Sequence, residues 1–339
     1  MSRRSRPKQL LRFGSQQSLL SATVDRVLPL TGATRTLVVT SAEVAEAVRA
    51  ELPQLPAENI LVEPAGRDTA ACVGWMAWRI AATHAGAVML VVPSDHVIPD
   101  AIALRLALAA AAATAHARGG LVTLGLKPTR PETGYGYLEL QDCVGTAGGL
   151  PVHRVLRFVE KPALSEAEDM LAAGNFRWNG GMFAWKIGEI RAAIRQHLPE
   201  LAEGLDALML AVAEVGEVEA MARCYGSLPK ISIDFGVMEK AELVWSVAVD
   251  FAWSDVGSWL GLEEILEGSG EGLEIGDVLA LESDGAVLVS DGPLVATIGV
   301  SDLVVVATRD AVLVVRKGDA QRVKEVVERL LSAARDDLL

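Results

Sequence analysis

Short apolar runs alternate with helical patterns through roughly the first 130 residues, and this alternation limits the possible folds more than any other feature. The helical stretches are Ala42–Glu51 and Asp100–Arg118, the second with Asp100 as its N-cap and Gly119 as its end. Apolar runs predict strands at Arg35–Ser41, Val88–Pro93 and Leu121–Leu126. Such alternation is typical of an α/β fold with a doubly wound parallel sheet, in which ligands bind at the carboxyl ends of strands.

The pattern changes along the chain and indicates two domains. Further strands are predicted at His153–Lys161, Gly181–Lys186 and Val247–Trp253. From about residue 275, β-rich segments recur between short turns, and a terminal helix is predicted from about Asp319. These segments are Ala286–Ser290, Leu294–Gly299, Leu303–Thr308 and Val312–Arg316. We therefore expect a larger α/β domain over residues 1–270 and a small β-rich domain over residues 271–339.

Composition excludes several classes of protein. The net charge of −13 argues against a general nucleic-acid-binding surface, although lysines and backbone N–H groups can still bind a phosphate locally. The most apolar stretch, Ala101–Ala117, is interrupted by Arg105 and His116, which indicates a buried helix rather than a membrane span. The basic start leads into no apolar segment, and three scattered cysteines fit a reducing compartment. We expect a cytoplasmic protein without membrane or nucleic-acid partners.

Two aspartates follow predicted strands and are candidate metal ligands. Asp95 comes directly after the apolar run VMLVVP, and Asp255 lies in the segment WSDVGSW after a later strand. Carboxylates at such a sheet edge suit Mg²⁺, which takes one or two carboxylates together with phosphate oxygens. A turn or cap role would explain either aspartate alone, and spacing does not show whether the two converge.

Other polar residues and glycines lie in loops or at strand ends. Glu160 and Lys161 end a strand, where a lysine can contact phosphate or simply be solvated. Glycine-containing loops at Gly134–Tyr135 and at Asn179 allow close backbone approach to a ligand, and they also suit plain turns. Arg67 and Asp68 precede a helix, where Asp68 is a natural N-cap but could also face a base or ribose.

Eight ordered motifs together resemble the mannose-1-phosphate guanylyltransferase family. They are PKQLL, EPAGRDTAA, VVPSDH, RPETGYGYL, FVEKP, WNGGMF, SIDFGVMEK and WSDVGSW. The resemblance implies a Rossmann-like mixed sheet of the nucleotidyltransferase type, followed by a short left-handed β-helix-like domain that contributes to a homodimer. It also implies in-line attack of mannose 1-phosphate on the α-phosphorus of GTP, giving GDP-mannose and pyrophosphate with Mg²⁺.

The resemblance also implies a role for each candidate residue. The metal would be bound by Asp95 and Asp255, and the sugar phosphate by Lys161. Lys8, in PKQ, would contact the nucleotide phosphates, and Arg67 and Asp68 would lie near the nucleoside. The positions matching sugar-contacting residues are Gly134, Tyr135, Glu160 and Asn179.

The start of the chain departs from the family pattern. A Gly-rich loop, GGxGTRLxP, and an apolar first strand normally precede the PKQ lysine, whereas here only six residues precede Pro7 and none is glycine. We expect that Met1 is a misplaced start and that the chain as written has little activity. The alternatives are a short, catalytically impaired paralogue that binds sugar phosphate, and an enzyme for another hexose 1-phosphate or nucleotide. No isomerase activity is expected.

Overall fold

The computed structural model describes residues 7–13, 17–257, 259–266, 272–335 and 338. The segment around Met1, on which the expectation of a misplaced start depends, lies outside these residues. Within them, no helix combines the length and the apolar character needed to cross a membrane.

The helices and strands follow in chain order. The helices are α1 (Leu19–Thr31), α2 (Ala45–Glu51), α3 (Asp68–His84), α4 (Ala101–Arg118), α5 (Leu164–Ala173), α6 (Ile187–His197), α7 (Pro199–Val215), α8 (Glu217–Cys224), α9 (Trp259–Leu266) and α10 (Val323–Ser332). The strands are β1 (Val38–Ser41), β2 (Ile60–Glu63), β3 (Val88–Val91), β4 (Leu121–Leu126), β5 (Gly136–Ala147), β6 (Leu150–Glu160), β7 (Phe176–Lys186), β8 (Val244–Val249), β9 (Leu273–Ile275), β10 (Val278–Leu281), β11 (Val287–Asp291), β12 (Val295–Ile298), β13 (Leu303–Thr308) and β14 (Val312–Arg316).

The central sheet has six strands in the order β3-β7-β4-β8-β6-β5, while β1 and β2 form a separate parallel pair. It is a mixed sheet, as the resemblance implies. The fully parallel sheet that the alternation alone indicates does not form. Among the described strands of this six-stranded sheet, only β4 and β8 pair in parallel, because β5, β6 and β7 run antiparallel to their neighbours.

Helices cover both faces of this sheet. β4 is buried along its whole length, as expected for a continuous apolar strand covered on both sides. One face packs against the apolar side of α3, and the other packs against α4. Asp100 caps α4 as predicted, because its carboxylate accepts from the N–H groups of Ile102 and Ala103. The sheet thus presents its strand ends between two helical layers.

The C-terminal part is a β-helix with a terminal helix, as the resemblance implies. Strands β9, β11 and β13 stack in parallel, and so do β10 and β12, while β14 pairs antiparallel with β13. Its core includes Leu11 and Phe13, which follow Lys8 in the chain, and Leu262 of α9. The β-helix therefore packs directly on two chain segments that lie close to candidate site residues. The terminal helix begins at Val323, after a 3₁₀ turn over Lys317–Arg322.

Candidate active site

The two candidate metal aspartates meet at one edge of the central sheet. Asp95 follows β3 and Asp255 follows β8, and the loops that carry them are joined by a two-residue antiparallel bridge. Val97 N donates to Ser254 O at 2.9 Å, and Ser254 N donates to Val97 O at 3.1 Å. This bridge joins two loops that are far apart in sequence, each of which carries one candidate aspartate.

His96 adds a side-chain contact between the same loops. Trp253 Nε1 donates to His96 Nδ1 at 3.0 Å, and the two rings pack edge to face. Burial lowers the pKa of His96 to about 4, so the ring is neutral at pH 7 and its Nδ1 can accept this hydrogen bond. Buried Arg26 of α1 supports the loop from the other side by donating to the carbonyl of His96 at 2.8 Å. The geometry next to Asp95 is therefore fixed by a buried polar network.

Lys8 lies between the two aspartates. Its Nζ is 2.8 Å from Asp95 Oδ2 and also donates to the backbone carbonyl of Asp255. One cation therefore reaches both aspartates at once. Among the residues that the structure describes, no group of three or more His, Cys, Asp or Glu side chains could hold a metal ion. A site with two carboxylates fits Mg²⁺ completed by phosphate oxygens and water, because Mg²⁺ is usually held in this way.

A tight turn orients the carboxylate of Asp255. Its Oδ1 accepts from Tyr135 OH at 2.8 Å and from Gly257 N at 2.9 Å. Burial, with the nearby charge of Asp255, raises the pKa of Tyr135, which keeps the phenol protonated as a donor. The next residue, Val256, has a φ of 51°, which is strained for a β-branched side chain. Backbone strain of this kind clusters at functional sites.

Tyr135 connects this metal half of the site to Glu160 and Lys161. Its carbonyl accepts from Lys161 N at 3.2 Å, while its hydroxyl reaches Asp255. Lys161 Nζ pairs with Glu160 Oε1 at 2.9 Å, and the hydrogen bond to Glu160 is the main reason that the pKa of Lys161 is raised. Lys161 has a φ of 50°, a second strained position at the site. Tyr135 thus fixes the position of Asp255 relative to Lys161.

Gly136 belongs to this site, although the sequence analysis singled out Gly134. A Cβ atom on Gly136 would lie 2.5 Å from Glu160 Oε2 and 3.3 Å from Asn179 Cβ, so a side chain at this position would displace the carboxylate of Glu160. Gly134 lies two residues away and is exposed, and its N–H donates to Glu132 Oε1 at 3.1 Å. The repeated Gly-Tyr pair in GYGY left the choice of glycine open.

Asn179 and Asp234 lie in the half of the site that contains Glu160 and Lys161. Thr123 Oγ1 donates to Asn179 Oδ1 at 2.7 Å, and Asn179 Nδ2 donates to Asp234 Oδ1 at 2.9 Å. Burial, followed by the charge of Glu160, raises the pKa of Asp234 to about 6. SIDFGVMEK is one of the motifs that resemble the family, but the sequence indicates no role for Asp234. The only available signal was a carboxylate in a motif, which does not reveal its neighbours.

The start of α3 lies near this second half. Arg67 is the N-cap of α3, and the Oδ1 of Asp68 accepts from the adjacent Thr69 N at 2.7 Å instead of capping the first turn, so the interpretation of Asp68 as an N-cap was wrong. Thr69 Oγ1 accepts from Ile233 N at 2.8 Å and thereby ties the helix start to the segment before Asp234. The charge of Asp68 contributes to the raised pKa of Lys161. Arg67 has a buried Nε with no hydrogen-bond partner in the described part of the chain.

Comparisons with known proteins agree with this geometry. Residues 3–270 match the Nucleotidyl transferase family, and residues 276–330 match a family described as MannoseP isomerase/GMP-like beta-helix domain. The chain is 38% identical to the xanthan biosynthesis protein XanB of Xanthomonas campestris pv. campestris (strain ATCC 33913), over 99% of the chain and 71% of that protein. It is 34% identical, with the same coverage, to the mannose-1-phosphate guanylyltransferase of Escherichia coli K12.

A solved structure is similar over nearly the whole chain. It is described as a mannose-1-phosphate geranyltransferase from Thermus thermophilus, with 41% identity and a TM-score of 0.84 over 97% of this chain and 94% of that one. The family assignment rests on the sequence motifs, on the mixed sheet with its β-helix and on these relatives. The chain belongs to the nucleotidyl transferase family, in the branch of the mannose-1-phosphate guanylyltransferases.

Proposed function

We propose that this enzyme transfers GMP from GTP to mannose 1-phosphate, giving GDP-mannose and pyrophosphate. The observation that carries the proposal is the meeting of Lys8, Asp95 and Asp255 at one sheet edge, joined through Tyr135 to Lys161. Two cationic side chains flanking a pair of carboxylates suit two phosphorylated substrates and a metal ion. The names of the guanylyltransferase relatives support the choice of substrates.

Nucleotidyltransferases of this family generally use a divalent metal ion, and we take Mg²⁺ as the ion here. Asp95 and Asp255 would hold it, and when bound it would neutralise charge on the phosphate oxygens. Tyr135 and the Asp255 turn keep one carboxylate oriented, so little reorganisation is needed when substrates arrive.

The other residues would position two anions that otherwise repel each other. Lys8 would move from Asp95 to the nucleotide phosphates, and Lys161 would bind the phosphate of the sugar. The mannose 1-phosphate oxygen would then attack the α-phosphorus in line and expel pyrophosphate, without a covalent enzyme intermediate. We assign the sugar hydroxyls to Glu160 and Asn179 and to the loop that carries Gly134 and Tyr135. Arg67 and Asp68 match positions near the nucleoside in the family, but here they lie next to Lys161 and Asp234, so we assign them to the sugar side.

A pyrophosphate assay tests the function. The full gene product is incubated with Mg²⁺, one nucleoside triphosphate and one hexose 1-phosphate, using GTP, ATP, UTP and dTTP against mannose and glucose 1-phosphates. We expect the highest kcat/KM with GTP and mannose 1-phosphate. A preference for another pair would replace the proposed substrates, and no pyrophosphate with any pair would contradict nucleotidyl transfer itself.

We also propose that the enzyme is a cytoplasmic homodimer that pairs through its C-terminal part. Helix α10 carries an apolar stripe (Val323, Val326, Val327, Leu330 and Leu331), yet none of its residues is buried among the described residues. Val327 and Leu331 are 42% and 49% exposed. A ten-residue helix in which no side chain is fully buried is marginal in water, so this stripe needs a covering surface, which a second copy would supply.

The Val327→Glu variant should weaken this dimer. Analytical ultracentrifugation of the wild type should give the mass of two chains, and the variant should dissociate with a constant raised at least about tenfold, because a carboxylate would be buried unpaired in an apolar contact. Glu328→Gln on the polar face of α10 should leave the dimer intact. A wild-type protein that sediments as a monomer at micromolar concentration would contradict the proposal.

A further inference from the structure

Asp234 is a carboxylate at the site to which neither the sequence motifs nor the proposed mechanism gives a role. It begins a π-helical turn, Asp234–Met238, that packs against β6 and α3. Single-turn π-helices are rare and occur frequently at functional sites. The turn brings Asp234 into contact with Asn179 and close to the charge of Glu160.

The hydrogen bonds around Asn179 leave specific groups available. Its Oδ1 accepts from Thr123 Oγ1 and its Nδ2 donates to Asp234 Oδ1, which fixes the orientation of the amide. In the described part of the chain, no other side chain donates to the carboxylate of Asp234, and Asn179 Nδ2 uses only one of its two hydrogens. The cluster therefore offers an unused acceptor and an unused donor beside Glu160, whose side chain is only 10% exposed.

Two neighbouring carboxylates are costly to keep together unless a ligand or cation compensates them. Lys161 pairs with Glu160 and acts on Asp234 only through its charge. Burial and the charge of Glu160 outweigh this effect, so the pKa of Asp234 stays raised. Hydroxyl groups that donate hydrogen bonds are the natural partners of such carboxylates. A hexose supplies adjacent hydroxyls that can donate to the carboxylates of Glu160 and Asp234.

We propose that Asp234 is a specificity-determining residue that accepts a hydrogen bond from one hydroxyl of the sugar, while Glu160 accepts one from a neighbouring hydroxyl. Asn179 donates to the oxygen of one of them. The inference rests on the proposed function, since it assumes that a hexose 1-phosphate binds next to Lys161. It predicts that the enzyme rejects sugars that lack the hydroxyl bound by Asp234.

The test compares Asp234→Asn with the wild type on mannose 1-phosphate and on its 2-, 3- and 4-deoxy analogues. Asparagine keeps an oxygen that can accept from Asn179 but removes the charge. We expect the KM for mannose 1-phosphate to rise about 10- to 100-fold, the range for losing a hydrogen bond to a charged group, with the KM for GTP unchanged. For one deoxy analogue, the kcat/KM of the wild type should be at least about tenfold below its value for mannose 1-phosphate. For the variant, the same two values should differ by less than about threefold.

Controls separate this role from a structural one. Asp142→Asn changes an exposed carboxylate in the β5–β6 hairpin and should leave kcat and the KM for each substrate unchanged. Asp234→Asn should be at least as stable as the wild type at pH 8. An aspartate whose pKa is raised to about 6 destabilises the folded state above that pH, and this effect disappears as the pH falls towards 4.

Several outcomes would overturn the proposal. An Asp234→Asn variant with wild-type KM values, alongside a defective Asp234→Ala, would mean that Asp234 only orients Asn179. An equal rise in the KM for every sugar and for GTP would mean that Asp234 has a general structural role. If the wild type releases no pyrophosphate at all, the proposed function fails, and calorimetry with mannose 1-phosphate decides the inference separately. Equal affinity of the wild type and Asp234→Asn would then overturn it.

Discussion

Replacing Asp95 or Asp255 by asparagine is expected to lower kcat by about a thousandfold, because a metal ion contributes several kcal/mol to stabilising charge in the transition state. Asparagine at 255 keeps the oxygen that accepts from Tyr135 and Gly257, so the turn should survive. Initial rates of pyrophosphate release at saturating substrates measure the effect. Asp169→Asn on the exposed side of α5 is the matched control and should retain full activity.

The double variant Asp95→Asn/Asp255→Asn tests whether the two aspartates bind the same metal ion. If both aspartates hold one metal ion, removing the second should cost little once the first is gone, because groups that act as a unit are strongly non-additive. Titration with Mn²⁺, followed by electron paramagnetic resonance, should show weakened binding in each single variant. Two results would contradict a shared metal site. In the first, the reductions in kcat of the two single variants multiply in the double variant. In the second, either single variant keeps a kcat within tenfold of the wild type.

Local sequence pattern was enough to locate several strands. The bounds predicted for Leu121–Leu126, Leu303–Thr308 and Val312–Arg316 are those of β4, β13 and β14, since each is an apolar run ended by turn residues. Val247–Trp253 was placed about three residues too late, because Phe251 and Trp253 are apolar but lie in the loop after β8. Strand direction depends on partners distant in sequence, so the expectation of a mixed sheet came only from the family resemblance, and the strand order was not predicted.

The sequence singles out several polar residues of the candidate site but not their arrangement. Asp95 and Asp255 each follow a strand, yet their meeting depends on the bridge between Val97 and Ser254, which no spacing rule reveals. Gly136 was missed because its importance comes from the approach of Glu160 and Asn179 across the sheet. Tertiary contacts of this kind decide which member of a motif faces the ligand.

The β-helix supports the active site through a buried ion pair between Lys317 and Glu263. Lys317 Nζ lies 2.7 Å from Glu263 Oε1 and 2.8 Å from Oε2, and the side chain of Glu263 is only 4% exposed. Glu263 also accepts from Gly272 N at 2.8 Å, so it joins α9 to the start of the β-helix. Because α9 follows Asp255 closely, this pair supports the chain segment that carries Asp255. Leu262 of α9 also packs in the same cluster as Leu11, which lies close to Lys8 in the chain.

The Lys317→Met variant is therefore expected to lose about 3–5 kcal/mol of stability, because it leaves the carboxylate of Glu263 buried without its partner. Calorimetry should show a midpoint lowered by roughly 5–15 °C. The double variant Lys317→Met/Glu263→Gln should recover most of this loss, since it removes the uncompensated charge. Arg223→Ala breaks the exposed pair with Glu219 and should cost less than about 1 kcal/mol. An unchanged midpoint in Lys317→Met would show that the pair does not hold the β-helix against α9.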